Sequence, residues 1–351
     1  MAPAVGVLSD EEGWFVGERY DVTIVGGGHN ALVAGTYLAK AGVRTLLLER
    51  LPHTGGAAVS TQAFPGVDAQ LSRYSYLVAL LPKTIIDDLG LDLELRSRST
   101  ASYTPTWRDG RSTGLLVERR ESDVTARSFR ELTGADGEYD AWRAFYAEIA
   151  AAARRLAPTL TGPLPTATEV AELIGKPTWS WLAEAPIGVE LDRRFADETV
   201  RGVVATDALI GTYASLYEAS LVQNRCFLYH LVGNGTGEWR VPVGGMGAVT
   251  DSLLRAALAA GVHVRTEASV RSIDADDTEA TATYDQEGDT RVVSSRIVLS
   301  GAAPAVLDDL LGRSSATPRP EGCQVKINLV LSRLPRWKSR IDPRVAFAGT
   351  L

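Results

Sequence analysis

Residues 21–57 constrain the fold more than any other part of this 351-residue chain. They open with the strand-forming residues 22–25 and run into the glycine-rich turn GGGHNA. An apolar-periodic segment to about Ala41 predicts a helix, and residues 44–48 predict a second buried strand that leads to Glu49. This order of strand, turn, helix and strand is typical of a nucleotide-binding α/β fold.

The small residues of the turn fit the phosphate-binding pattern G-x-G-x-x-G/A at Gly26, Gly28 and Ala31. Gly26 permits the tight turn, Gly28 lets the backbone approach a pyrophosphate, and Ala31 lets the helix pack closely on the strand. The helix N-terminus then directs unpaired N–H groups at the phosphates. Glu49 lies 23 residues beyond Gly26, where a carboxylate accepts hydrogen bonds from ribose hydroxyls. The stretch therefore predicts dinucleotide binding.

The net charge and the composition argue against several classes of protein. The formal net charge is −7, and no local cluster of Lys and Arg offsets it, which argues against a nucleic-acid-binding surface. The first residues lack the basic start and apolar run of a signal peptide, and no apolar run reaches the ~18 residues of a transmembrane span. Cys226 and Cys323 are far apart in sequence, which argues against a redox pair or a zinc knuckle. We therefore expect a cytoplasmic protein without a metal site.

A second glycine pair, Gly55-Gly56, follows the acidic strand end and precedes Ala57. A simple nicotinamide-binding domain does not need this pair, whereas a loop that folds back over a longer ligand does. Arg50 is a candidate phosphate contact, and the alternative is a solvated charge at the strand end. We expect His53 to be a surface loop residue.

The middle of the chain predicts a separate substrate domain of mixed helices and strands. A β-hairpin is predicted over 101–117, and helices are predicted over 122–132 and 138–156. An apolar stripe along the second helix predicts a packed core, formed by Trp142, Phe145, Ile149 and Leu156. The fold class is thus α/β, a Rossmann-type domain with an inserted α+β substrate domain. The predicted boundaries are 1–62 and 241–304 for the nucleotide-binding domain, and 63–240 and 305–351 for the substrate domain.

Residues 233–237, GNGTG, look like a second dinucleotide loop, but Pro242 prevents a helix from starting there with phosphates at its N-terminus. We therefore expect no separate NAD(P)H domain. The segment PVGGMG then leads into a predicted amphipathic helix over 248–260. Its small residues indicate backbone pressed against a flat ligand, and the alternative is an ordinary loop before a helix. Separate strands are predicted over 291–293 and 297–302, and the second of these returns to the first sheet.

Together, GGGHNA, the Glu49-Arg50 strand end, TGGAA, PVGGMG and VLSGAAP resemble the phytoene desaturase-like family of FAD-dependent oxidoreductases, in its branch of pyridine nucleotide-disulfide oxidoreductase domain-containing proteins. The resemblance implies FAD and a glutathione reductase/amine oxidase-like fold. It implies that Gly26, Gly28 and Ala31 meet the pyrophosphate and that Glu49 binds the adenosine ribose. Because no cysteine pair is present, disulfide chemistry is not expected.

The same resemblance assigns the remaining cofactor contacts. Arg50, Gly55, Gly56 and Ala57 would lie toward the pyrophosphate and ribityl chain. Val270 matches the position whose backbone meets adenine. The residues expected beside the isoalloxazine are Gly244, Gly245, Met246 and Gly247.

The C-terminal part of the chain carries a prediction about partners. Residues 324–331 predict an apolar strand, and members of the family continue through further substrate-domain and FAD-domain elements. Because an unpaired buried edge is a liability that folded proteins avoid, we expect a second polypeptide or a cleaved C-terminal piece to complete the fold.

The expected chemistry is hydride transfer to FAD from a C–C or C–N bond of an apolar or amphipathic small molecule, with the cofactor supplying the reactivity. His230, Tyr74 and Tyr76 are weak catalytic candidates, and His230 has a competing interpretation as a satisfied core histidine. Two alternatives remain. One is a non-catalytic lipid- or prenyl-binding escort protein on the same fold. The other is an FAD amine or amino-acid oxidase, with Arg73 or Arg225 as candidates for binding a substrate carboxylate.

Overall fold

The computed structural model describes residues 18–314, 322 and 324–351, and the chain divides into two compact units. Unit 1 contains residues 18–59, Leu89–Asp92 and 247–314. Unit 2 contains Ser60–Asp88, Leu93–Met246 and the described residues from 322 onward. Cys323 lies outside the described residues.

The strands, in chain order, are β1 (Glu18–Val25), β2 (Thr45–Leu48), β3 (Ser60–Thr61), β4 (Leu71–Ser72), β5 (Leu95–Arg96), β6 (Thr100–Arg108), β7 (Arg111–Glu118), β8 (Val241–Pro242), β9 (His263–Arg265), β10 (Ser269–Ala275), β11 (Ala280–Gln286) and β12 (Asp289–Ser300).

The helices are α1 (His29–Lys40), α2 (Lys83–Leu89), α3 (Asp123–Thr133), α4 (Gly137–Leu156), α5 (Ala167–Ile174), α6 (Lys176–Trp179), α7 (Ile187–Arg194), α8 (Glu198–Leu209), α9 (Val222–Val232), α10 (Met246–Ala259), α11 (Pro304–Leu310) and α12 (Pro343–Ala346). A π-helical turn, Ser180–Glu184, follows α6. Within the described ranges, none of these helices has both the length and the apolar character needed to cross a membrane.

Unit 1 is built on a sheet with the strand order β10-β11-β12-β1-β2-β9. Strands β12, β1, β2 and β9 pair in parallel, whereas β10, β11 and the first part of β12 form an antiparallel meander. Every residue of β2 is buried, as expected for a central parallel strand covered on both faces. The predicted strand–turn–helix–strand unit is confirmed, and its helix ends within one residue of the expected position.

Strand β12 corrects one prediction. The sequence predicts separate strands over 291–293 and 297–302, but Asp289–Ser300 forms one continuous strand. Its first half pairs antiparallel with β11, and residues from Val293 onward pair in parallel with β1. One long strand can therefore serve both the meander and the central sheet, which a pattern of short apolar runs does not reveal.

Unit 2 has a helical core beside the β6–β7 hairpin. The predicted hairpin and the apolar stripe of α4 are both confirmed, since the strands pair around the turn at Asp109 and the stripe residues are buried. Arg108 at the end of β6 joins the hairpin to two helices: its Nη1 donates to the Leu132 carbonyl and to Asp197, both at 2.6 Å.

The prediction of a strand over 324–331 is wrong for the described residues, because none of them pairs with a neighbouring strand. The alternating side chains of Val325, Ile327 and Leu329 are 88%, 73% and 72% exposed. Apolar alternation describes which face a strand would bury, but a strand also requires a backbone partner.

Candidate functional site

The turn between β1 and α1 leaves the start of the helix without a side-chain cap. Gly26 has φ +95°, a left-handed value that favours glycine. Gly28 is the N-cap residue of α1, it supplies no capping side chain, and the first turn of α1 holds no acidic residue. The first N–H groups of the helix are therefore suited to an anionic ligand, as at other phosphate-binding helix N-termini.

Gly28 faces open space beside a second glycine-rich loop. A Cβ added at Gly28 would meet no atom within 4 Å. The Gly55 N–H donates to the Gly27 carbonyl at 2.8 Å, and Gly28 and Gly55 form a parallel bridge. A Cβ at Gly56 would come within 3.1 Å of the Gly28 Cα. The two loops thus touch through their backbones, and the space beside Gly28 is left open.

Glu49 is held in place by two backbone donors. Its Oε2 accepts from the Gly27 N–H at 2.6 Å, and its Oε1 accepts from the Leu51 N–H at 2.9 Å. The side chain is only 7% exposed. Since each carboxylate oxygen has a second lone pair, Glu49 can still accept hydrogen bonds from ribose hydroxyls.

Two glycines that sequence reasoning left out of the site shape the same turn. A Cβ at Gly27 would lie 3.1 Å from the Glu49 carboxylate. A Cβ at Gly301, just beyond β12, would lie 3.0 Å from the Gly26 carbonyl oxygen and 3.2 Å from the Ala31 Cβ. Both residues stand in quoted motifs, GGGHNA and VLSGAAP, but the reason for glycine appears only when the neighbouring strand is in place.

Helix α10 is joined to the loop that contains Gly55. The Thr250 hydroxyl donates to the Ala58 carbonyl at 2.9 Å and lies 3.1 Å from the Gly247 carbonyl oxygen. A Cβ at Gly55 would come within 3.0 Å of the Thr250 hydroxyl, and Gly55 has φ +115°. Gly247 and Gly55 therefore belong to one connected part of unit 1.

The cofactor contacts predicted for Arg50, Gly56 and Ala57 remain predictions. Gly56 and Ala57 are exposed, and so is Arg50. Arg50 forms no hydrogen bond or ion pair with the residues that the structure describes. Its guanidinium is consequently available for either interpretation, a phosphate contact or a solvated charge.

Val270 lies on β10, an edge strand of the unit 1 sheet. The Ala268 N–H donates to the Glu49 carbonyl at 2.9 Å, and the Glu49 N–H donates to the Arg265 carbonyl at 2.8 Å. The segment that precedes β10 is therefore held by backbone hydrogen bonds to Glu49, the predicted ribose-binding residue. Because one side of an edge strand has no strand partner, backbone groups there can meet a base, as predicted for Val270.

In unit 2, the loop before α10 is packed against two serines. Gly244 and Gly245 have φ +84° and +75°. A Cβ at Gly245 would lie 2.5 Å from the Ser60 hydroxyl. The Ser60 hydroxyl donates to the Gly244 carbonyl at 3.0 Å, and the Met246 N–H donates to the Ser72 hydroxyl at 2.9 Å. The serines account for the glycine at 245, and the predicted contact with the isoalloxazine stays a prediction.

Lys326 connects the two tyrosine candidates to this loop. Its Nζ donates to the carbonyls of Ser72 and Tyr74, both at 2.6 Å, and lies 5.2 Å from the centre of the Tyr76 ring. Burial lowers the pKa of Lys326. Tyr74 and Tyr76 are 50% and 49% exposed, which keeps both available to a ligand. Sequence reasoning missed Lys326, although a lone charge in the apolar run QVKINLVL was a visible signal.

His230 on α9 is fixed through one ring nitrogen. Its Nδ1 lies 2.8 Å from the Cys226 carbonyl oxygen and 3.0 Å from the Asp207 carbonyl oxygen. Because both neighbours are acceptors, we assign the proton to Nδ1. The Trp239 indole N–H donates to the His230 carbonyl at 3.2 Å. The contacts of Nδ1 support the interpretation of His230 as a satisfied core histidine. Within the described residues, Nε2 forms no hydrogen bond.

A cavity of about 520 Å³ lies elsewhere in unit 2, and its lining includes Trp181 and Arg193. Its charges are already paired: Arg194 binds Glu148 and Glu190, both at 2.6 Å. None of the predicted cofactor residues lines it. We therefore place the candidate site at the glycine turns and not at this cavity.

The chain is similar in sequence to a known nucleotide-binding family and to a mammalian relative. Residues 24–83 match the family described as NAD(P)-binding Rossmann-like domain. The mouse pyridine nucleotide-disulfide oxidoreductase domain-containing protein 2 is 29% identical over 361 residues, which cover 92% of this chain and 61% of the mouse protein. The chain is thus similar to that protein over nearly all of its own length.

Bacterial relatives extend the comparison. An uncharacterized protein of Mycobacterium tuberculosis is 46% identical over 343 residues, covering 94% of this chain and 63% of that protein. One subunit of the limonene dehydrogenase of Castellaniella defragrans is 35% identical over 125 residues, 33% of this chain and 22% of that protein. The chain thus spans about three fifths of the length of the mycobacterial and mouse relatives.

Solved structures confirm the fold class. A putrescine oxidase variant superposes with a TM-score of 0.55 at 22% identity, over 86% of this chain and 62% of that one. Rab GDI of Plasmodium falciparum superposes with a TM-score of 0.51 at 14% identity, over 83% and 66%. The fold is therefore that of the amine oxidases and GDP-dissociation inhibitors.

Proposed function

We propose that this chain is an FAD-dependent oxidoreductase, or part of one, whose unit 1 binds the ADP portion of FAD. The geometry of Gly28 and Glu49 carries the proposal. At Gly28, an uncapped helix start and open space suit the two phosphates. At Glu49, a carboxylate fixed by two N–H donors suits the ribose.

Bound FAD would accept a hydride from the substrate, and the protein would bind and orient both. A C–C bond is desaturated when a hydride and a proton leave adjacent carbons, and a C–N bond is oxidised when they leave carbon and nitrogen. Kinship with a limonene dehydrogenase subunit supports apolar substrates. The likeness of fold to putrescine oxidase and cyclohexylamine oxidase supports amines. O₂ or a quinone would reoxidise the cofactor.

A titration of the purified protein with FAD tests the cofactor assignment, with FMN and NAD⁺ as competitors. We expect saturable quenching of flavin fluorescence by FAD and absorbance bands of bound flavin, with much weaker binding of FMN because it lacks the adenosine half. A colourless protein that cannot be reconstituted with FAD would favour the non-catalytic binder. Preference for NAD⁺ would overturn the cofactor assignment.

We also propose that a second chain or fragment contributes to the active enzyme. The name of the limonene dehydrogenase relative, which is itself a subunit, supports this. Size-exclusion chromatography with mass spectrometry on native material should show an additional polypeptide in the flavin-containing peak. A flavin-loaded, active monomer of 37.6 kDa would refute the proposal.

A further inference from the structure

The cavity of about 520 Å³ in unit 2 combines charged and apolar side chains. Its lining includes residues of the π-helical turn that follows α6, and π-helical turns are frequent at functional sites. The charged residues of the lining, on α4 and α7, are Glu148, Glu190, Arg193 and Arg194. Small-molecule sites have volumes of roughly 300–1,000 Å³, so this cavity is large enough for a small organic ligand.

Glu148 is already saturated at one of its carboxylate oxygens. Its Oε1 accepts from the Thr178 hydroxyl at 2.8 Å and from the Trp181 indole N–H at 2.9 Å. Its Oε2 accepts from the Arg194 Nη2 at 2.6 Å. Burial raises the pKa of Glu148, but the three hydrogen-bond donors outweigh burial and leave that pKa below its usual value. Glu148 is therefore ionised at neutral pH.

Glu190 is shared by two arginines of its own helix. Its Oε1 accepts from the Arg193 Nη2 at 2.7 Å and from the Arg194 Nε at 2.6 Å. Its Oε2 accepts from the Arg193 Nε at 2.8 Å. Burial raises the pKa of Glu190, but the hydrogen bonds from both arginines outweigh burial and lower that pKa. Each glutamate thus keeps free acceptor capacity only at Oε2.

The two arginines keep more unused hydrogen-bonding capacity than the glutamates. A guanidinium has five N–H donors, and both Arg193 and Arg194 bind the glutamates through Nε and Nη2. Neither Nη1 forms a hydrogen bond with the residues that the structure describes. The Arg193 side chain is 66% exposed. The Arg194 side chain is only 16% exposed, but its Nη1 is not among the buried unpaired atoms. Both Nη1 groups are therefore open to a ligand.

Unused donors beside largely occupied acceptors suit an anionic acceptor. A carboxylate offers two oxygens with about four lone pairs, and its hydrogen bonds with guanidinium groups are charge-assisted. Since the two arginines balance the two glutamates in charge, an anion meets no net negative charge in the lining. An ammonium group would have to compete with the arginines for the glutamate oxygens. The apolar residues Pro177, Ala185 and Val189 of the lining suit a hydrocarbon chain.

We propose that this cavity binds an amphipathic carboxylate. The Nη1 groups of Arg193 and Arg194 bind the carboxylate group, and the apolar part of the ligand packs beside Trp181 and Val189. The inference goes beyond the proposed function, because none of the predicted cofactor residues lines the cavity and no redox step is assigned to it.

Calorimetric titrations of the full chain with sodium hexanoate and with 1-hexanol test the inference at pH 7.5. We expect hexanoate to bind at least about tenfold more tightly than 1-hexanol. In Arg193→Gln the affinity for hexanoate should fall at least about fivefold while that for 1-hexanol stays the same, because the positive charge and Nη1 are lost. Arg130→Gln is a matched control, since Arg130 is 57% exposed, forms an ion pair with Asp136 and does not line the cavity. This control should bind hexanoate as the wild type does.

Equal affinities for hexanoate and 1-hexanol, or undiminished hexanoate binding in Arg193→Gln, would overturn the inference. Tighter binding of inorganic phosphate than of hexanoate would overturn the choice of an amphipathic carboxylate. If Arg193→Gln does not fold, Val189→Asp decides, because Val189 is 56% exposed and a carboxylate there would repel the ligand. Hexanoate should bind this variant at least about tenfold more weakly, and an unchanged affinity would again overturn the inference.

Discussion

Adjacent glycines at 27 and 28 should respond in opposite ways to the same added methyl group. In Gly27→Ala, the Cβ would come within 3.0 Å of Thr54 and 3.1 Å of Glu49, both packed side chains. In Gly28→Ala, the Cβ would meet no protein atom within 4 Å, and the backbone at φ −69° is allowed for alanine. Gly27 is therefore expected to matter for folding and Gly28 for the ligand.

The magnitudes follow from these contacts. Overpacking at Gly27 costs ~1–3 kcal/mol. Displacing Glu49 also weakens the 2.6 Å hydrogen bond from the Gly27 N–H, and a bond to a charged acceptor contributes ~1.5–3 kcal/mol. Since the two effects share one displacement, we expect a loss of roughly 2–4 kcal/mol in the stability of unit 1. At Gly28 the stability change should stay within ~0.5 kcal/mol.

The affinity for FAD should also distinguish Gly28→Ala from the other variants. The methyl group of Gly28→Ala would occupy the space predicted for the pyrophosphate, and we expect FAD to bind at least about tenfold more weakly, a cost of ~1.4 kcal/mol. Gly202→Ala is a matched control, because its Cβ also meets nothing within 4 Å and lies on α8. It should leave FAD affinity unchanged.

Urea unfolding followed by circular dichroism measures the stability of each variant. A fluorescence titration with FAD measures its affinity for the cofactor. Wild-type FAD affinity in a folded Gly28→Ala protein would refute the assignment of the open space to phosphate. Wild-type stability of Gly27→Ala would refute the packing argument.

Three further predictions concern unit 2. Ionised Asp207 should cost the folded state up to ~3 kcal/mol above about pH 6 and almost nothing near pH 4, since its pKa is raised from 3.8 to about 6 on folding. Asp207→Asn should therefore resist urea better than the wild type at pH 7.5, with a gap that closes toward pH 4; a pH-independent gap contradicts this. Lys326→Met should speed hydrogen exchange in the β3–β4 pair, because it removes the hydrogen bond to the carbonyl of Ser72 in β4, whereas the exposed Lys338→Met should not. Gly245→Ala should lower the melting temperature because its Cβ meets the Ser60 hydroxyl at 2.5 Å, and adding Ser60→Ala should restore part of the loss; no recovery would show that the φ of +75° dominates.

Local sequence chemistry was sufficient for the nucleotide-binding unit. The turn at Gly26, the helix after Gly28 and the buried β2 all follow from short-range patterns, and the acid at Glu49 is placed by strand length. Each of these features involves neighbours within about 30 residues, so periodicity and turn chemistry predict them. The same reasoning predicted the β6–β7 hairpin and the buried face of α4.

Contacts between distant segments were beyond that reasoning. Gly301 faces Gly26 and Ala31 only because β12 lies beside β1, and Lys326 reaches Ser72 across more than 250 residues of sequence. The strand expected over 324–331 is absent from the described residues because apolar alternation cannot supply a pairing partner.

The sequence by itself determined that this protein has a Rossmann-type unit with a glycine-rich turn between its first strand and helix, because those features depend on residue types at fixed short spacings. Only the tertiary structure decided how Glu49 is held, why Gly27 must be glycine, and that Asp207 remains an unpaired charge among the described residues. Burial and hydrogen-bond satisfaction depend on what the rest of the chain brings to a residue, and neither can be determined from that residue and its sequence neighbours alone.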